Sequence, residues 1–268
     1  MPEGAEVRTI VHQLRHHYKD ATISDAKILS GRYVKHGAPK GFDKFVSNLP
    51  LTIIDVSCRG KFIYMSLSNG SYLTSTLGMT GSWRKKPTKH SRMIMETTAG
   101  ALYFDDIRNF GTLNFENTKS DVGQILLSLG WDPLAESLDY DAQISRMKLA
   151  SNATIAEALM DQRLFSGVGN YVKAEVLYRS KISPWRLVKD IDDMTLGIIC
   201  EASRKVLIES FIAGGTTIHD YADASGNAGS YQQKLQVYGR SHDNLGNKVI
   251  RETTRDDRTT HWVPDVQK

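Results

Sequence analysis

The sequence has few cysteines and no long apolar run. Cys58 and Cys200 are the only cysteines among 268 residues, which excludes a four-cysteine zinc site and speaks against a disulfide framework. We expect both thiols to be unpaired and buried. No stretch approaches the roughly 20 apolar residues that a membrane-spanning helix needs. The opening MPEGAEVR lacks the basic-then-apolar order of a signal peptide, so we expect an intracellular protein with no membrane partner.

Charge of neither sign dominates. Lysine and arginine number 34 and aspartate and glutamate 30, which gives a net charge of +4 and an isoelectric point near 8.9. This weakly basic balance is compatible with a polyanionic partner but does not identify one. Between Trp83 and Met95 the basic residues occur without any acidic one: Arg84, Lys85, Lys86, Lys89, His90 and Arg92. The run indicates either a contact with a polyanion, with His90 and Arg92 as candidates, or a solvated hairpin tip.

The first half of the chain has the pattern of one helix followed by short strands. Val7, Ile10, Val11, Leu14 and Tyr18 recur at helical spacing and predict a helix with an apolar face. Strand-like runs separated by glycine turns follow it: Leu51–Ser57, Phe62–Leu67, Tyr72–Leu77, Met93–Thr97, Ala101–Phe104 and Thr112–Phe115. Strands without intervening helices predict an antiparallel β-sandwich or barrel.

Helical spacing dominates the second half. A helical face from Val122 to Leu129 ends at Gly130–Pro133, and we place the domain boundary between residues 132 and 133. Further helices are predicted at about 139–150, 153–162, 170–180 and 192–212, a mobile polar loop at 224–229, and strands at Leu235–Tyr238, Lys248–Thr253 and Thr259–Val263. The predicted fold class is therefore α+β, with a helix and a β-sandwich or barrel over 1–132 and a helical domain ending in a β-hairpin over 133–268.

Pro2 is a candidate nucleophile. Removal of Met1 leaves proline with a free secondary amine, and an unperturbed α-amino group has a pKa of about 7.7–8.0. Such an amine can attack an electrophilic sugar carbon and form an iminium, with Glu3 beside it as a general acid and Glu6 one helical turn further on. Proline followed by acidic residues is also an ordinary helix start, and these residues taken alone favour that explanation.

Further motifs distinguish the two explanations. In chain order they are Met1-Pro2-Glu3-Gly4-Ala5-Glu6-Val7, Arg59-Gly60-Lys61-Phe62, Leu77-Gly78-Met79-Thr80-Gly81, Asp106-Ile107-Arg108-Asn109-Phe110-Gly111, Leu159-Met160-Asp161-Gln162, Ser166-Gly167-Val168-Gly169-Asn170-Tyr171, Ala174-Glu175-Val176-Leu177-Tyr178, Gly214-Gly215-Thr216-Thr217 and Leu235-Gln236-Val237-Tyr238-Gly239-Arg240. Together they resemble the Fpg/Nei family, which comprises formamidopyrimidine-DNA glycosylase and endonuclease VIII. The motifs at about 155–180 resemble the family's helix–two-turns–helix element. One motif is weak, whereas the ordered set is highly specific.

The resemblance implies a bifunctional DNA glycosylase and AP lyase of base excision repair that acts on damaged DNA as a monomer, without an organic cofactor. Pro2 would attack C1′ of the damaged nucleotide, Glu3 would protonate the sugar ring oxygen, and Lys61 would hold a phosphate and assist β,δ-elimination, with Glu6 as a further catalytic candidate. Oxidised pyrimidines, hydantoins and formamidopyrimidines are the expected lesions. A rival hypothesis, a non-catalytic damaged-DNA binder of the same fold, predicts loss of Pro2, Glu3 or Lys61, and all three are present.

Two further sets of residues are carried over as DNA contacts. Met79, Arg108 and Phe110 match the residues that fill the gap left by an extruded base, whose extrusion costs a few kcal/mol. Buried core is the ordinary alternative for Met79 and Phe110. The glycine turn Gly167–Asn170 precedes a helix, where backbone N–H groups and the Asn170 side chain can bind a phosphate. A plain helix cap is the alternative there.

The tail departs from the family, whose members commonly end in a four-cysteine zinc finger. Leu245 and Lys248 lie near the place of the first cysteine pair, and Val263 and Val266 replace the second. Arg258 keeps the finger's spacing and is expected to reach DNA phosphates. The resemblance thus implies a zincless finger at about 233–268, as in some endonuclease VIII-like proteins, held by packing around Val249, Trp262 and Val263 instead of a metal.

Overall fold

The computed structural model describes residues 2–116, 118–216, 224 and 228–268, which form two compact units. Within the described residues, unit 1 comprises Pro2, Glu6–Ser128 and Ala213–Ser230, and unit 2 comprises Glu3–Ala5, Leu129–Ile212 and Tyr231–Lys268. The chain passes from unit 1 to unit 2 at residues 128–129, near the boundary placed after 132, but the described residues among 213–230 belong to unit 1 again. Three of the six residues of the loop predicted at 224–229, namely 225–227, lie outside the described residues. Within the described ranges, no helix has the length and apolar character to cross a bilayer.

Unit 1 begins with the predicted helix, α1 (Gly4–Tyr18). Val7, Ile10 and Leu14 are fully buried because the helical repeat brings them onto one face, which belongs to the core of the unit. Tyr18 closes this face, and its hydroxyl donates to the carbonyl of Ala101 at 2.9 Å. The predicted amphipathic helix is confirmed.

An antiparallel β-sandwich makes up the rest of unit 1, as predicted. Its strands are β1 (Thr22–Ile28), β2 (Leu51–Arg59), β3 (Phe62–Leu67), β4 (Tyr72–Thr76), β5 (Gly81–Arg84), β6 (Ser91–Thr97), β7 (Leu102–Asp106) and β8 (Thr112–Glu116). Their order is β5-β7-β6-β1-β2-β3-β4-β8. Burial alternates along β3, where Ile63, Met65 and Leu67 face the core. Three helices complete the unit: α2 (Arg32–Lys35), α3 (Phe42–Ser47) and α4 (Lys119–Ser128).

Two strands were missed, and the hairpin-tip interpretation of the basic run was wrong. β1 carries Ser24, Asp25 and Lys27 and owes its conformation to long-range pairing with β2 and β6. β5 and β6 flank the basic run, yet each pairs with β7 and not with the other. The run therefore forms a connection that crosses over β7.

Unit 2 is helical, with α5 (Tyr140–Lys148), α6 (Ile155–Met160), α7 (Asn170–Arg179) and α8 (Asp193–Ile212). The predicted helix at 153–162 is shorter at both ends. Thr154 caps α6 in a reciprocal capping box with Glu157, and Asp161 is already extended. In α7 every residue from Tyr171 to Tyr178 is buried. Neither cysteine is part of a disulfide and both are buried, as expected.

The chain ends in the hairpin of β9 (Ile250–Thr253) and β10 (Thr259–Trp262). The strand predicted at Leu235–Tyr238 does not form. Instead, the fully buried carboxylate of Glu175 on α7 accepts the backbone N–H groups of Gln236, Val237 and Tyr238 at 2.8, 3.0 and 2.9 Å. These donors need a partner when buried, and a carboxylate supplies it in place of a neighbouring strand.

Candidate active site and nucleic-acid interface

The segment that follows Pro2 is held against the glycine turn before α7. Pro2 itself is buried. The N–H of Gly4 donates to the carbonyl of Gly167 at 2.8 Å, and a Cβ at residue 4 would lie only 3.0 Å from Cα of Gly167. Glycine at residue 4 is therefore what lets the two backbone segments approach so closely.

Glu3 caps α7, a helix far from it in sequence. Its side chain is only 2% exposed, and its Oε1 and Oε2 accept the N–H groups of Tyr171 and Val172 at 3.0 and 3.3 Å. A Cβ at Gly169 would lie 2.3 Å from the Glu3 carboxyl carbon, so a side chain there would displace the carboxylate. A helix N-terminus favours negative charge, and here Glu3 supplies it. Two N–H groups that the sequence suggested for a phosphate thus bind Glu3.

Asn170 and Arg258 lie at the same end of α7. The Asn170 amide donates to the carbonyl of Thr259 at 2.6 Å and so ties the helix to β10. Arg258 immediately precedes β10 and is exposed, and its carbonyl accepts the Thr254 N–H at 2.8 Å to close the β9–β10 turn. The structure therefore brings together three predicted residues, Glu3, Asn170 and Arg258.

Lys173, which no sequence motif indicates, is a fully buried lysine on α7. Among the described residues its Nζ has no hydrogen-bond partner. Burial lowers the pKa of Lys173 to about 8, although the charges of Asp256 and Glu3 act in the opposite direction. The apolar periodicity of the helix gives no signal for such a residue, because a lysine between apolar neighbours usually reaches solvent with its long stem.

The buried lysine leads to a prediction about pH and stability. An unfolded lysine holds its proton to a pH of about 10.4, whereas folded Lys173 releases it near pH 8. Between these values the unfolded state binds more protons than the folded state, so the free energy of unfolding rises with pH. The destabilisation from the buried charge of Lys173 therefore has its full value below pH 8 and decreases as the pH rises. We expect the stability advantage of Lys173→Met over the wild type to shrink by on the order of 3 kcal/mol from pH 7.5 to 10.5. Urea unfolding at several pH values measures it, and a pH-independent difference would contradict it.

Glu6 and Lys61 are positioned within unit 1. Glu6 is only 1% exposed and accepts the N–H of Thr216 at 2.7 Å, so it holds the third residue of the Gly-Gly-Thr-Thr motif. Lys61 is half-buried in the two-residue turn that joins β2 to β3. Gly60 begins this turn with a φ of 54°, a conformation that glycine adopts readily. Lys61 is thereby held on a short connection between two paired strands.

Met79, Arg108 and Phe110 form an exposed wedge on two packed loops. Met79 is 40% and Phe110 54% exposed, and the Arg108 guanidinium carbon lies 5.0 Å from the centre of the Phe110 ring. Gly78 has a φ of 55°, and a Cβ there would lie 2.6 Å from the carbonyl carbon of Phe110. The core alternative is therefore wrong for Met79 and Phe110. Exposed apolar side chains with a guanidinium on top are suited to stacking against bases.

Asp106, buried at the end of β7, holds the two loops together. Its Oδ1 accepts the Thr80 hydroxyl at 2.7 Å and the Arg108 N–H at 3.2 Å, and its Oδ2 accepts the Gly111 N–H at 2.7 Å. Asp106, the first residue of the motif that carries Arg108, thus fixes the loop of that motif by hydrogen bonds.

Of the two basic candidates from the run at 83–95, Arg92 lies inside the protein. Its side chain is buried and donates to the carbonyl of Asp106 at 2.7 Å and to the Ser30 hydroxyl at 2.8 Å. His90 is half-buried, and its carbonyl accepts the Asp106 N–H at 3.0 Å. We therefore leave Arg92 out of the set of proposed DNA contacts.

Comparison with known proteins agrees with this geometry. Residues 1–113 match the formamidopyrimidine-DNA glycosylase N-terminal domain and residues 129–222 match its H2TH domain. The formamidopyrimidine-DNA glycosylase of Thermus thermophilus is 34% identical over 274 residues, which cover 100% of this chain and 98% of the relative. The chain belongs to the formamidopyrimidine-DNA glycosylase family. Membership makes it a DNA-binding glycosylase of DNA repair.

Solved structures of the family superpose over nearly the whole chain. The Fpg (MutM) crystal structure from Thermus thermophilus has a TM-score of 0.87 at 32% identity and covers 99% of this chain and 98% of its own. Wild-type Lactococcus lactis Fpg, in complex with DNA containing an oxidised pyrimidine, has a TM-score of 0.86 at 26% identity and covers 100% of both chains.

The C-terminal hairpin does not fit the zinc finger that family members commonly carry. Cys58 and Cys200 cannot supply four thiolates, and among the described residues no group of three histidine, cysteine or acidic side chains could hold a metal. Val237, Val249 and Val263 form an apolar cluster with α7. Two polar side chains hold the adjoining turns: Asp243 accepts the N–H groups of Leu245 and Asn247 at 2.9 and 2.8 Å, and Gln267 accepts that of Val263 at 2.8 Å.

Proposed function

We propose that this glycosylase is bifunctional: it releases an oxidised base from damaged DNA and then cuts the strand through a covalent iminium on Pro2. It acts as an intracellular monomer and uses neither zinc nor an organic cofactor. The anchoring of Glu3 carries the proposal. An ordinary helix start would leave Glu3 in solvent or capping its own helix, whereas Glu3 is buried and binds two N–H groups of α7.

The proposed reaction begins with the free Pro2 amine. Its nitrogen bonds to C1′ as the bond from C1′ to the base breaks, and the base leaves with the electron pair and takes up a proton. As the sugar ring opens, the ring oxygen receives a proton through Glu3, and the N–H proton of Pro2 passes to the same carboxylate when the iminium forms. Loss of a proton from C2′ allows β-elimination of the 3′ phosphate, and loss of a second sugar proton allows δ-elimination of the 5′ phosphate. Hydrolysis of the iminium then releases the remaining sugar fragment from Pro2 and leaves a one-nucleotide gap.

The other site residues bind and position the DNA. Lys61 on its short turn holds a phosphate near the reacting sugar and assists elimination, while Glu6 holds Thr216 in place through its N–H. Arg258 is exposed at the tip of the β9–β10 hairpin, where a guanidinium can bind a phosphate. The wedge of Met79, Arg108 and Phe110 replaces the stacking of the extruded nucleotide, which offsets part of the few kcal/mol that extrusion costs.

The proposed lesions are formamidopyrimidines, oxidised pyrimidines and hydantoins. The family's name supports the first class, and the Lactococcus lactis complex with an oxidised pyrimidine supports the second. Single-turnover excision from duplexes with formamidopyrimidine, thymine glycol, guanidinohydantoin or 8-oxoguanine tests the range. We expect gapped products with phosphate ends and the slowest release for 8-oxoguanine. A strong preference for 8-oxoguanine contradicts the range, base release without strand cutting contradicts the lyase step, and binding without release identifies a non-catalytic binder.

A further inference from the structure

A second basic region lies beside the wedge. Residues 26–42 contain no acidic residue and five basic ones: Lys27, Arg32, Lys35, Lys40 and His36. The two lysines at its ends are neutralised, since Lys27 pairs with Asp25, and Lys40 with Glu116 at 3.1 Å. The three basic residues on and next to α2 are exposed, and within the described ranges no acidic side chain forms an ion pair with them. We call Arg32, Lys35 and His36 the α2 patch.

The α2 patch is joined to the loop that carries the wedge. Arg32 donates to the carbonyls of Asn109 and Gly111 at 3.2 and 3.3 Å, the two residues on either side of Phe110. An open cleft is lined by Gly31, Asn109 and the three residues of the patch. The patch and the wedge are therefore parts of one continuous surface.

The backbone beneath the α2 patch is held in place. Gly31 has a φ of 75°, and a Cβ there would lie 2.6 Å from both Cδ of Arg92 and Oδ1 of Asn109. The Arg92 guanidinium donates to the Ser30 hydroxyl just before α2, and Tyr33 accepts the Leu113 N–H at 2.9 Å. Buried Arg92 thus serves to position α2, and the patch needs little ordering when a ligand binds.

We propose that the α2 patch binds the sugar-phosphate backbone of the DNA duplex next to the step that the wedge enters. The inference rests on the proposed role of the wedge. The α2 patch is continuous with the wedge, and this identifies duplex DNA as its ligand. A duplex that Phe110 enters brings its backbone onto the same surface. Basic side chains that form no ion pair within the protein can bind DNA phosphates, and this binding releases the small cations condensed on the DNA. A clamp beside the wedge also keeps an opened, bent duplex from sliding off.

Lys35 provides the test, because it is exposed and no described contact depends on its amine. Binding of Lys35→Gln and Lys35→Glu to a lesion duplex is measured from 50 to 200 mM salt. Lys44→Gln and Lys44→Glu, with an exposed lysine on α3, serve as matched controls. We expect the slope of log K against log salt to fall by about 0.9 for Lys35→Gln, with affinity about 3- to 10-fold weaker on damaged and undamaged duplexes alike. Lys35→Glu is expected to bind more weakly still, and both controls are expected to match the wild type.

A scan of single methylphosphonates then locates the contact. At one position near the lesion, the neutral linkage should weaken the wild type but not Lys35→Gln, and that position identifies the strand. Unchanged slopes in both Lys35 variants, or the absence of any such position, would overturn the inference. Borohydride trapping of the wild type tests the proposed function separately. Loss of trapping there rejects the Pro2 chemistry and leaves the salt slopes to decide on the patch.

Discussion

We expect a chain whose Pro2 nitrogen is part of a peptide bond to form no covalent product with DNA containing an abasic site. Insertion of a serine between Met1 and Pro2 creates such a chain, since an amide nitrogen has no free electron pair for attack on C1′. Borohydride trapping on the duplex should fall by at least about 1000-fold, as expected when a covalent nucleophile is removed. Binding of the same duplex, measured in parallel, should change by only a few-fold.

Pro2→Gly is the matched control for the blocked chain. It leaves a free primary amine at the same position once Met1 is removed, and it should therefore trap DNA more slowly than wild type but far better than the blocked chain. If the blocked chain traps DNA as well as the wild type does, the nucleophile is another residue.

The second large effect is expected from Glu3→Gln. The change removes the proton-transfer group and should slow base excision and strand cleavage by about 100- to 1000-fold. It should also lower the free energy of unfolding by about 1–2 kcal/mol, because a glutamine amide cannot accept the N–H groups of both Tyr171 and Val172. Single-turnover kinetics and urea unfolding on the same preparation separate the two effects.

Glu175→Gln controls for the structural part of that effect. Glu175 is also a buried carboxylate that accepts backbone N–H groups, in its case three of them. Glu175→Gln should lower the free energy of unfolding at least as much as Glu3→Gln does, yet leave the excision rate of the folded enzyme within a few-fold of wild type. Equal loss of activity in both variants, or near-normal activity in Glu3→Gln, would show that Glu3 is structural only.

Elements whose residues make mainly local or periodic contacts were predictable from the sequence. Helix α1 follows from the spacing of its apolar residues, and β3 from strict alternation. β1 was not predictable in this way, because polar Ser24, Asp25 and Lys27 interrupt the pattern and pairing with two distant strands decides the conformation. Local sequence does not specify such pairing.

The sequence predicted which residues form the site but not the contacts that these residues make. The motifs identified Pro2, Glu3 and the wedge residues, whereas the bond from Glu3 to α7 joins residues 168 positions apart. The same limit produced the error at Leu235–Tyr238, where a distant carboxylate satisfies the backbone. Lys173 carried no sequence signal, since its burial depends on how α7 packs. Arg92 was misassigned because a basic run shows charge but not which side chains turn inward.

Tandem mass spectrometry of the trapped and digested complex tests the covalent step most directly. The account predicts that the reduced sugar fragment is attached to the nitrogen of Pro2 and that Pro2 is the first residue of its peptide. A fragment attached to Lys61 or another lysine, or an active chain that still begins with Met1, would contradict it.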